Sequence, residues 1–130
     1  MLTFFAVALL LGAPQTPPDD SFSARVLRGK LVEAGVGGPE YQKQMWARIN
    51  DPVTELLKAC IASNAPADKS PFTVVAELSP DGKPGRIEAQ PATPVASCFA
   101  SGFEKIALPA PPKLPDSAVY PIEIDVSIVP

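Results

Sequence analysis

The alternation of apolar and polar positions predicts three β-strands in the second half of the chain. Residues 72–79 (FTVVAELS) place apolar side chains on one face and a more mixed set on the other. The sequence Pro80-Asp81-Gly82 is typical of a turn, and residues 86–90 (RIEAQ) give the return strand. The last strand, over residues 119–129, has the clearest pattern. Its apolar face carries Tyr120, Ile122, Ile124, Val126 and Ile128, and its other face carries Glu123, Asp125 and Ser127.

A period near 3.6 residues predicts helices elsewhere. Ser21 is a suitable N-cap for a first helix, which the glycines after residue 34 end. A second helix begins near Pro39, and we expect it to break or kink at Pro52, where Asp51 caps its continuation. Two later apolar stripes each contain a cysteine. The first holds Val53, Leu56, Leu57, Cys60 and Ile61, and the second holds Val95, Cys98, Phe99, Gly102, Phe103 and Ile106.

The element order α-α-β-β-α-β predicts a two-layer α+β domain. We expect a small antiparallel three-stranded sheet that is covered on one face by helices, because each strand is apolar on one side only. The two cysteine-bearing helices should then lie on the apolar face of the sheet.

The N-terminus predicts export. Residues 1–13 (MLTFFAVALLLGA) match the apolar region of a secretory signal peptide and are too few to span a bilayer. A buried helix or an uncleaved anchor is the alternative. Residues 14–21 are a proline-rich spacer, and residues 22–130 form a single domain. The expected location is therefore periplasmic or secreted.

Composition argues against several functions. The net charge is -3 and the basic residues are scattered, which disfavours a nucleic-acid partner. The chain has no histidine, so it lacks the side chain most used for acid–base catalysis near neutral pH and for metal binding. The carboxylates that remain as candidates fall on predicted solvent faces: Glu55, Glu77, Glu88 and Glu104. We predict no catalytic residue, cofactor, metal site or small-molecule substrate.

The two cysteines, Cys60 and Cys98, are predicted to form a structural disulfide. Both lie on helix faces that pack on the same sheet, and an oxidising compartment favours pairing. A redox pair is the alternative, although the spacing is far from Cys-x-x-Cys.

Residues 53–130 resemble a known family, the TonB C-terminal domain. The resemblance is carried by the turn Ser79-Pro80-Asp81-Gly82-Lys83, by Val95-Ala96-Ser97-Cys98-Phe99 in the following helix, and by the exit Leu108-Pro109-Ala110-Pro111. It is strongest with cysteine-containing variants in TonB-like and gliding-motility-type proteins of the bacterial envelope, which also carry a cysteine in the helix before the hairpin. The resemblance implies a stand-alone periplasmic module of the same fold.

Two functional hypotheses follow. The first is a protein-interaction module that pairs an edge of its sheet with an extended segment of an envelope or periplasmic protein, as the resemblance implies. The predicted contact residues are Tyr120, Glu123, Asp125 and Ser127. The two acidic residues, Glu123 and Asp125, would suit a basic partner. Alternatively, they would only protect an edge strand from aggregation. The second hypothesis is a small periplasmic inhibitor or immunity protein that blocks a toxin or hydrolase.

Overall fold

The computed structural model describes residues 20–129, so the predicted signal peptide (1–13) and nearly all of the spacer (14–21) lie outside the described residues. Three helices and three strands follow in the predicted order. They are α1 (Phe22–Ala34), α2 (Gly38–Ser63), β1 (Phe72–Leu78), β2 (Pro84–Gln90), α3 (Pro94–Phe103) and β3 (Tyr120–Val126). The predicted α+β fold is confirmed.

The strands form one antiparallel sheet in the order β2-β1-β3, with β1 in the centre and β3 at one edge. Val74 of β1 pairs with Ile124 of β3, and Val75 pairs with Glu123. Because side chains alternate along a strand, this register places Tyr120, Ile122, Ile124 and Val126 of β3 on one face with Phe72, Val74, Ala76 and Leu78 of β1. The core lies against that face.

Helices α2 and α3 cover the apolar face, as predicted. Met45 and Ile49 of α2 and Phe99 and Phe103 of α3 are fully buried there. The Cys60–Cys98 disulfide joins these two helices, with a Cα–Cα distance of 5.7 Å. The predicted disulfide is thereby confirmed, and it fastens the helical layer on the core side of the sheet.

Of the predicted break or kink at Pro52, the break does not occur: α2 is continuous from Gly38 to Ser63 with the proline inside it. Proline removes one helical hydrogen bond and disfavours the helix interior. Buried α2 residues on both sides of Pro52, including Ile49 and Cys60, nevertheless anchor the helix to one core. Pro52 itself is exposed. Core packing therefore outweighs the local preference.

Helix α1 packs mainly against β3, on the face of the sheet opposite α2 and α3. Gly29 makes this approach close: a Cβ built on it would lie 2.7 Å from Glu123 Cβ and 3.1 Å from the Glu123 nitrogen. The sheet thus carries the predicted helical layer on its apolar face and one further helix on its polar face. Residues 35–37 connect α1 to α2. The two helices therefore lie on opposite faces of the sheet and are joined near its β3 edge.

Candidate interaction edge at the last strand

The four predicted contact residues are divided between the core and the surface. Tyr120 is 2% exposed. Its ring packs edge-on against Tyr41, with 5.1 Å between the ring centroids, and burial raises the pKa of its hydroxyl. Glu123 is also buried, whereas Asp125 and Ser127 are exposed. The exposed part of the predicted site is therefore the C-terminal end of β3 and the residue that follows it.

Glu123 lies in a small charged cluster beneath α1. The Lys30 ammonium is 3.6 Å from Glu123 Oε1 and 3.7 Å from Asp125 Oδ2. The Glu123 side chain is only 4% exposed, and Oε1 has no hydrogen-bond partner among residues 20–129. Burial raises the pKa of Glu123 to about 7, and Asp125 adds to this effect through a hydrogen bond and its charge. Glu123 therefore changes its charge near neutral pH.

Asp125 behaves in the opposite way. Hydrogen bonds with Glu123 and with the Thr73 hydroxyl, which donates to Oδ1 over 2.8 Å, lower the pKa of Asp125. Asp125 is thus an exposed, ionised carboxylate. The buried Glu123 beside it keeps its own proton to higher pH. The pair supplies one fixed negative charge and one that depends on pH.

Helix α1 covers the centre of the edge strand. Ile122, Glu123 and Ile124 are 2%, 8% and 3% exposed, and these values include their main-chain atoms. A free edge would leave the outward main chain in contact with solvent. β3 is therefore the edge of the sheet by its hydrogen bonding, yet its central main chain is inaccessible while α1 is in place. Covering an edge with a helix is one way in which proteins prevent unwanted strand pairing.

Arg25 ties α1 to the far side of the sheet. Its side chain is 8% exposed, its Nη2 donates to the main-chain oxygen of Arg86, and its Nη1 lies 3.5 Å from Glu88 Oε2. Arg86 stands at a bulge in β2 with a positive φ of 46°, a conformation that side chains other than glycine seldom adopt. The Arg86 guanidinium is fixed by Glu77 Oε1 at 2.8 Å.

A groove of about 500 Å³ runs between α1, β1 and the segment before β3. Its walls are mainly apolar, with charged side chains at the rim. They include Val32, Val75, Leu114, Val119 and Pro121, and the rim includes Arg25, Arg28, Glu77 and Asp116. The groove adjoins the polar face of the sheet and is a second surface on which a partner's side chains could lie.

The carboxylates that we considered as catalytic candidates are dispersed. Glu77 and Glu88 are engaged by arginines as described, and Glu55 lies 3.7 Å from Lys58 on α2. Glu104 is the C-terminal capping residue of α3. Over the part of the chain that the structure describes, no three His, Cys, Asp or Glu side chains are placed to hold a metal ion. Within the same range, no helix is both long and apolar enough to cross a membrane.

Sequence reasoning missed Lys30, Gly29 and Arg25, all on the inner face of α1. The only fully buried residues of this helix are Arg25 and Gly29. No buried apolar stripe therefore predicts which face of α1 packs on the sheet. The available signal was Gly29 itself, since a glycine inside a helix often marks a close approach.

Comparison of the chain with protein-family models, with curated proteins and with solved structures found no match. The resemblance to the TonB C-terminal domain therefore stays a prediction, and so does the function inferred from it.

Proposed function

We propose that this protein is an exported, non-catalytic interaction module of the bacterial cell envelope that binds an extended, basic segment of a periplasmic or envelope protein along β3. The observation that carries the proposal is the position of β3 at the edge of the sheet, with Asp125 and Ser127 exposed at its C-terminal end. An added strand satisfies the outward N–H and C=O groups of an edge and so gains main-chain hydrogen bonds.

Two features support export. The Cys60–Cys98 disulfide is of the kind that persists in oxidising compartments, and the apolar run at residues 2–11 suits a signal peptide. The resemblance to the TonB C-terminal domain agrees with both, because members of that family pair a sheet edge with a partner strand in the periplasm.

The charge at the end of β3 favours a basic partner. Asp125 is exposed and its lowered pKa keeps it ionised, while the ammonium of Lys30 is shared between Asp125 and Glu123. A lysine or arginine in the partner segment could replace Lys30 in this contact. Asp125 would then set the register of the added strand, and main-chain pairing would supply most of the affinity.

A synthetic peptide of alternating lysine and valine tests this proposal. Its affinity for the full chain is measured by fluorescence anisotropy at low and high salt, beside a glutamate–valine peptide of equal length. We expect the lysine–valine peptide to bind more tightly. Asp125→Lys should weaken binding by about fivefold, because an exposed ion pair contributes up to ~1 kcal/mol. Asp51→Lys, an identical charge change at an exposed position on α2, should leave the affinity unchanged.

Backbone pairing is separated from simple charge attraction by N-methylation. Alternate N–H groups of a strand point to opposite sides, so methylating one alternate set should abolish binding and methylating the other should preserve it. Equal binding of both methylated peptides would contradict strand addition.

A further inference from the structure

Helix α1 is attached to the domain differently from the other two helices. Its only fully buried residues are Arg25 and Gly29, neither of which contributes a large apolar side chain. In contrast, α2 buries Tyr41, Met45 and Ile49, and the disulfide joins α2 to α3. Val32 is the α1 side chain that packs against the main core, so separating α1 would uncover that contact but would leave the buried residues of α2 and the disulfide in place.

Two of the largest apolar side chains of α1 are not used to hold it, although Phe22 and Val26 are half-buried and Val32 packs against the core. Leu27 and Leu31 are 58% and 63% exposed, on the side of the helix away from the sheet. Polar contacts hold the inner side instead: Arg25 reaches the bulge in β2, and Lys30 reaches Glu123 and Asp125. When α1 separates, both partners of each contact are hydrated again, so the desolvation cost of these buried charged groups is recovered, which is not so for a packed core.

We propose that α1 is a displaceable cover of the β3 edge, which opens to let an extended basic segment pair with Ile122–Ile124 and contact Glu123 and Asp125. This inference rests on the proposed function, since it concerns how the same edge becomes accessible. It explains how β3 can be the edge strand and yet have a buried main chain.

An incoming basic strand could replace the contacts that β3 loses when α1 separates. In the closed state, Lys30 lies between Glu123 and Asp125, and alternate residues of β3 turn their N–H and C=O groups away from β1. Among residues 20–129, the hydrogen bonds outside the β1–β3 ladder include none to the main chain of β3. An incoming basic strand would supply both the cation that leaves with α1 and partners for these main-chain groups.

Closure should also depend on pH. The charged groups around Glu123 are Lys30 and Glu33 of α1 and Asp125 of β3, while its neighbour on β1, Val75, is apolar. Burial under α1 raises the pKa of Glu123 from 4.5 to about 7. Protonation of Glu123 therefore favours the closed position of α1. The equilibrium constant for opening should rise by about tenfold per pH unit between pH 4.5 and about pH 7, and should level off above pH 7.

Hydrogen–deuterium exchange of the full chain, read by mass spectrometry as protection factors corrected for intrinsic rates, tests the cover. We expect the amides of α1 to exchange faster than those of β1 and of the disulfide-linked part of α2, and their opening to follow the stated pH dependence. Glu123→Gln keeps the shape of the side chain and should remove that dependence. Lys30→Gln should increase α1 exchange at pH 7.5, whereas the matched change Lys58→Gln on exposed α2 should not.

The same variants are then titrated with the lysine–valine peptide. Tighter binding by Lys30→Gln than by the wild type supports the cover. Equal protection factors for the amides of α1 and β1 in every variant would overturn the proposal that α1 is a displaceable cover. Peptide binding to the wild type would in that case still support the proposed function. If α1 opens as described but no peptide binds to Lys30→Gln, the proposed function fails and with it the role of the opening.

Discussion

Gly29→Ala tests whether α1 is seated on the main chain of β3. The new methyl group would lie 2.7 Å from Glu123 Cβ and 3.1 Å from both the Glu123 nitrogen and the Ile122 carbonyl carbon. Carbon atoms in contact prefer separations of ~3.5–4 Å, so α1 would have to move outward by about 1 Å. The atoms in the way belong mainly to the strand backbone and cannot rotate aside.

Two opposing effects set the magnitude. Overpacking costs ~1–3 kcal/mol, and the rigid neighbours here favour the upper part of that range. Alanine restores ~1 kcal/mol of helix propensity. We therefore expect α1 to be loosened by ~1–2 kcal/mol, which corresponds to about 5–30-fold faster exchange of its amides.

The assay is native-state hydrogen exchange, combined with urea unfolding of the same samples. Leu27, which is 58% exposed in the middle of α1, provides the control: Leu27→Ala compared with Leu27→Gly isolates the propensity step and should stabilise the helix by ~1 kcal/mol. If Gly29→Ala stabilises α1 as the control pair does, α1 does not lie where the structure places it.

Three further predictions concern stability and are measured by urea unfolding. Reduction of the Cys60–Cys98 disulfide, which spans 38 positions, should lower the free energy of unfolding by ~4 kcal/mol in the chain-entropy model; an unchanged midpoint would show that the bond contributes little. Because the pKa of Glu123 rises from 4.5 to about 7 on folding, its contribution is complete below pH 4.5 and is lost as pH rises to 7. Relative to Glu123→Gln, the free energy of unfolding of the wild type should therefore fall by at most ~3 kcal/mol between pH 4.5 and 7. Parallel curves of unfolding free energy against pH for the two proteins would refute the raised pKa of Glu123. Gly102→Ala should change stability by less than ~1 kcal/mol although its methyl group would meet Leu56 Cδ1 at 2.3 Å, Cδ2 at 3.1 Å and Cγ at 3.2 Å, because the whole half-buried leucine side chain can turn aside. A loss as large as that of Gly29→Ala would show that Leu56 is held rigidly.

The periodicity of the sequence predicted the core side of this protein well. Ile122 and Ile124 on β3 and Val74 on β1 share the buried face that alternation assigned to them. The cysteine-bearing stripes placed Cys60 and Cys98 on helix faces that meet, and the structure joins them. Such features are local patterns with one dominant cause, the burial of apolar surface.

The polar side could not be predicted in the same way. Glu123 lies on the alternating polar face of β3, so a sequence pattern assigns it to solvent, yet α1 buries it. The contacts responsible are Gly29 at close range, Lys30 beside Glu123, and Arg25, which reaches across the sheet to β2. Their partners are far away in sequence, and no periodic signal identifies them. The bulge at Arg86 and the continuity of α2 through Pro52 depend likewise on tertiary packing.

Binding of an extended basic segment at the β3 edge can be followed through the amide resonances of the full chain during titration with the lysine–valine peptide. We expect the amides of β3 and α1 to shift together, and the outward amides of β3 to become protected from exchange in the bound state. Shifts confined to the groove around Leu114 and Val119, or no shifts at all, would contradict binding at this edge.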